Sequence, residues 1–168
     1  KYNWLRPPLE ELGTTSVFHF YRIKFNPDFY PYGKIGRFRK AIQDILNAEG
    51  LNMRHYQNTP VSGQIIFSEK KAFGKGLPWA LDKRHINYDI EQYPNTLDVI
   101  RSTLVLGAIS SSPGYLLCEG TIDKYIQGFK KIEENMSEVI AYADRLDYKE
   151  PWETIPVTSD SFRATYGI

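Results

Sequence analysis

The sequence predicts an α+β (α/β) domain: a short mixed sheet covered by helices, with a long helix near the carboxy end. Three observations carry this. Residues 15–25 alternate along a strand-like run. Residues 37–48 form an amphipathic helix that runs straight into a second apolar strand. A stripe from Ile122 to Ala143 recurs at helical spacing.

Each element has a local reason. Residues 1–14 read as an arm, because Pro7-Pro8 forbids helix and favours extended backbone. Trp4 and Leu5 in such an arm need cover. In residues 15–25, Val17, His19, Tyr21, Ile23 and Phe25 fall on one strand face; Phe18, Phe20, Arg22 and Lys24 fall on the other. Asn26-Pro27-Asp28 ends the strand in a turn, and residues 29–36 follow as a loop. In the next helix Phe38, Ala41, Ile42, Ile45 and Leu46 line one side, and Gly50 stops it in a left-handed conformation. A strand over 51–56 follows at once.

Residues 57–93 show no sustained periodicity and are punctuated by Gly63, Gly74, Gly76 and Pro78. A stretch of this kind inside a compact domain is usually functional or partner-bound. Asn95 or Thr96 caps a short helix with Leu97 and Ile100 inward. A buried strand over 104–109 and a turn over 110–114 precede the long helix, for which Thr121 is the N-cap and Asp123 suits the positive dipole end. Residues 148–168 read as an extended tail.

Composition narrows the function. At 168 residues, 42% hydrophobic and 24% charged, the chain is one ordinary domain with a packed core. A net charge of +1 without a basic run argues against nucleic acid. No apolar stretch approaches the roughly 20 residues that span a membrane. One cysteine, Cys118, rules out an internal disulfide and a CxxC metal site, so a reducing cytoplasm is the expected setting. His19, His55 and His85 lack the spacing of metal ligands. Aromatic residues reach 14%, which suits either an interface or an aromatic core.

The candidate chemistry lies in Arg54-His55-Tyr56-Gln57-Asn58-Thr59-Pro60-Val61. Histidine binds hydroxyls or carboxylates near neutral pH, and tyrosine adds a donor on a flat apolar body. Asn58, Thr59 and Gln64 offer hydrogen bonds to a polyol or amino acid. Arg54 suits a carboxylate, though it alternates with His55 along a strand. The bland alternative is a strand end followed by a turn.

The order strand, helix, strand with His55-Tyr56, loop, short helix at Tyr93-Pro94-Asn95-Thr96, strand at Leu104-Val105-Leu106 and long helix covers residues 15–143. It resembles the carboxy-terminal small domain of the DegT/StrS sugar aminotransferases, which use pyridoxal phosphate (PLP). The resemblance implies a small domain over residues 15–147. It implies that the His55-Tyr56 turn faces substrate at the mouth of the active site, with Asn58 close by; Arg54, which cannot share a strand face with His55, is the alternative binder.

The same resemblance implies a large domain upstream that holds the Schiff-base lysine and an aspartate on the cofactor ring. Neither motif is found here, so PLP is expected to be bound mainly by a partner chain in a hetero-oligomer. The chain is not expected to act alone. Lys70 and Lys71 sit among charged and small residues and read as a surface loop rather than as a substitute. The implied reaction is amino-group transfer onto a keto-sugar, cyclitol or similar carbonyl. Two rival readings stay open: a non-catalytic structural or regulatory partner of a complete aminotransferase, and an independent α+β ligand-binding domain.

Overall fold

A computed structural model describes residues 2–17, 20–31, 34–84, 86–106, 119–154 and 159–166. The described chain is α+β and divides into two compact units. The first comprises residues 1–56 and 101–148, the second residues 57–100 and 149–168.

The first unit holds a sheet of four strands, β1 (Leu5–Arg6), β2 (Arg22–Phe25), β3 (Met53–Arg54) and β4 (Thr103–Leu106), in the order β1-β2-β4-β3. All three pairings are antiparallel, where a mixed sheet was expected. β4 enters between β2 and β3, which are joined by helix α1 (Ile35–Ala48); this is a split β-α-β unit.

The amino-terminal residues are not a free arm. β1 pairs Leu5 with Phe25, and Trp4 is fully buried. Its ring stacks on Phe25 at 6.3 Å and meets Phe38 edge-on at 6.2 Å, while its indole N–H donates to Glu133. Phe38 is the centre of this core, with Tyr30 stacked on it at 5.0 Å. Burying one such ring stabilises the fold by about 1.5–3 kcal/mol.

The end of α1 follows the sequence reading closely. Gly50 has φ +80°, its N–H donates to Asn47 O at 3.0 Å, and Leu51 N–H donates to Leu46 O at 2.9 Å. These are the two bonds of a Schellman motif. The chain then enters β3, which α1 holds directly: Asn47 Oδ1 accepts Met53 N–H at 2.7 Å and its amide donates to Met53 O at 3.2 Å.

The long stripe forms two helices, α4 (Glu119–Glu134) and α5 (Met136–Arg145). Asn135 lies between them at φ −116°, ψ 32°, and its side-chain amide donates to Lys131 O at 2.8 Å. An asparagine side chain competes for helix carbonyls in this way. Tyr125, Phe129, Ile132, Val139 and Ala143 are buried, whereas Ile122 and Ile126 are exposed.

The second unit contains the short helices α2 (Ile65–Ser68), α3 (Pro94–Ser102, whose last two residues belong to the first unit) and α6 (Ser159–Tyr166). Its 3-10 turns are Val61–Gly63, Trp79–Leu81, Ile90–Gln92 and Pro151–Thr154. Residues 149–168 are thus not simply extended. Trp152 packs with Leu97 and Ile100, with Ile90 against them. Phe67, Trp79 and Tyr88 form a second aromatic group, tied by a 2.8 Å bond from the Trp79 indole to the Tyr88 hydroxyl.

Candidate sheet-face site

β3 is two residues long, and its position depends on what holds it. α1 grips Met53 as described, Gln43 Nε2 adds a bond to Met53 O at 3.3 Å, and Tyr125 OH donates to Asn52 O at 2.9 Å. Met53 thereby points into the core with Ile23, Phe25 and Leu104. Arg54 is the next residue and takes the opposite face.

Arg54 stands directly across from Val105 and is half-buried, with Nε donating to Asn52 Oδ1 at 3.2 Å. His55 is half-buried just beyond the strand. Tyr56 is 42% exposed; its ring lies 4.3 Å from that of Phe20, and the Arg22 guanidinium sits 5.6 Å from its centroid. Arg22 is itself directly across from Val105 on β2. Phe20, Arg22, Arg54 and Tyr56 therefore gather on one face.

The other expected residues fall differently. The boundary between the two units lies between Tyr56 and Gln57, so Asn58, Thr59 and Gln64 belong to the second unit. Asn58 and Gln64 are exposed, and Thr59 is half-buried. A Cβ at Gly63 would lie 2.6 Å from Thr59 Oγ1, so glycine lets the turn close under that hydroxyl. His19, His85 and Cys118 lie outside the described residues.

Arg22 was the residue that the sequence did not single out. Alternation had placed it with Phe20 on one face of its strand, which was a usable signal. What no local pattern could supply was the pairing through β4 that brings it opposite Arg54.

The described lysines do not fit a Schiff base to PLP. Lys70 is exposed at φ +53°, and Lys71 is 72% exposed at 3.7 Å from Glu69. No other described lysine is buried. Among the described residues no group of three His, Cys, Asp or Glu could hold a metal ion. No helix there is long and apolar enough to cross a membrane.

Compared with known proteins, the chain matches no family model and no curated protein.

Proposed function

We propose that this chain is the small-domain part of a PLP-dependent aminotransferase of the DegT/StrS kind. It would act with a partner that carries the lysine and the cofactor. The observation that supports the reading is the connection β2–α1–β3, with Gly50 turning the chain into β3 and β4 returning between the two strands. Arg54, His55 and Tyr56 then stand at the exit of β3. With no described lysine fit to hold PLP, the cofactor would sit on the partner. The part of this chain is to shape the pocket for a keto-sugar, cyclitol or similar carbonyl. One cysteine in the whole chain suits a cytoplasmic setting.

The test is affinity capture of the full chain from its host, with mass spectrometry and a visible spectrum of the complex. A partner bearing a PLP-type large domain, with the absorption band of lysine-bound PLP, is the expected result. His55→Ala in that complex should then lower kcat/KM about tenfold, the worth of one substrate hydrogen bond of ~1.4 kcal/mol. A partner with its own small domain and a catalytically silent His55→Ala would replace the proposal with a structural role. A monomer without cofactor would sink both.

A further inference from the structure

We infer that Arg22 and Arg54 form an oxyanion-binding site on the sheet face opposite the core, taking a phosphate or carboxylate group of a small molecule. The inference does not depend on the aminotransferase reading.

Register carries the first part. Arg22 and Arg54 each pair with Val105, one from either side. Directly opposed residues share a face of the sheet. Ile23, Met53 and Leu104 belong to the core, so the two arginines project from the other side. Neighbouring strands lie about 4.8 Å apart, which sets the two Cα atoms about 10 Å apart. Val105 between them is itself buried, so the two side chains would meet an anion at their outer ends, above that residue.

Charge carries the second part. Arg6 and Arg84 have carboxylate partners, Asp28 and Asp82. Among the described residues neither Arg22 nor Arg54 has one. Two like charges flanking one strand repel, and an anion between them removes the repulsion.

Preorganisation carries the third. Arg22 lies over the Tyr56 ring, and Tyr56 rests on Phe20. A cation–π contact of this kind holds the guanidinium without using a hydrogen bond, so its N–H donors stay available to an anion. Arg54 donates its Nε to Asn52 Oδ1, which leaves its terminal nitrogens to donate. Tyr56 is thus a positioning residue, acting through Arg22. A forked donor of this kind recognises phosphate and carboxylate bidentately.

The test is a titration of the full chain, labelled with nitrogen-15, at low salt. Inorganic phosphate and malonate serve as separate probes, read on the arginine Nε–Hε resonances. Arg22 and Arg54 should shift saturably with one common Kd, and the tighter probe identifies the chemical source of the oxyanion. Arg22→Gln and Arg54→Gln should each weaken binding at least about tenfold. Tyr56→Leu should weaken it about two- to fivefold, and Tyr56→Phe, which keeps the ring, should not. Shifts that stay linear and no larger than those of Arg6 overturn the site. So does unchanged affinity in Arg54→Gln, which reads the question even if an Arg22 variant fails to fold.

Discussion

The Tyr30 hydroxyl donates to Asp144 Oδ1 at 2.7 Å, joining the loop before α1 to the last turn of α5. Burial, followed by this bond and the Asp144 charge, pushes the phenol from 10.0 to about 12, with Arg37 pulling the other way. The folded protein therefore holds the proton more tightly than the unfolded chain. Its stabilising contribution is complete below pH 10 and is lost as pH rises toward about 12. Urea unfolding should show that loss in the native sequence and a flatter profile in Tyr30→Phe. At neutral pH the variant should cost about 1 kcal/mol for the missing bond.

Trp4→Ala should destabilise the first unit by about 3–5 kcal/mol, as for other buried tryptophans. Trp4 is fully buried, stacks on Phe25 and closes over Phe38. Chemical denaturation monitored by circular dichroism would measure it. A loss under about 1 kcal/mol would mean that β1 is not an integral strand.

A Cβ at Gly128 would overlap Leu51 Cδ1 and lie 3.1 Å from Leu46 Cδ2. Gly128→Ala should therefore destabilise by about 1 kcal/mol, overpacking of 1–3 kcal/mol being partly offset by better helix propensity. Shortening the obstacle should relieve the clash. Adding Leu51→Ala should give a total loss smaller than the sum of the single variants, a coupling that a double-mutant cycle reads.

Glu69 accepts both the backbone N–H of Ser159 at 2.6 Å and its hydroxyl at 2.7 Å, so it closes the amino end of α6. Those bonds, the backbone one first, hold its carboxyl below the ordinary 4.5. Its hold on α6 is present above that value and is lost as pH falls through the depressed range. The protection factors of the α6 amides, which divide out the intrinsic pH dependence of exchange, should fall on acidification. Glu69→Gln should exchange faster already at neutral pH and lose most of that acid dependence.

The sequence revealed structure where the cause is local. The amphipathic face of α1, Gly50 and the turn into Leu51 are all set by residues within one helical turn of each other. β1 escaped because two residues next to Pro7-Pro8 leave no periodicity to detect. The break at Asn135 escaped because the apolar stripe runs through it unbroken, and competition for a backbone carbonyl leaves no mark on that pattern. Trp152 leaves no local signal of burial because its partners, Leu97 and Ile100, are some 50 residues away. At the candidate site, the sequence singled out Arg54 and Tyr56, while the pairing that sets Arg22 opposite them is long-range.

The place of β4 in the sheet has a consequence for the chain as it is made. β2 and β3 both precede it, yet each owes β4 a row of hydrogen bonds. Some 50 residues separate β3 from β4. At about 5–20 residues per second the ribosome needs roughly 2–10 s to deliver them. During that interval a nascent chain carries two open strand edges separated by a one-strand gap. That is a suitable seat for a foreign strand or a chaperone, and the interval closes only when Thr103–Leu106 emerges.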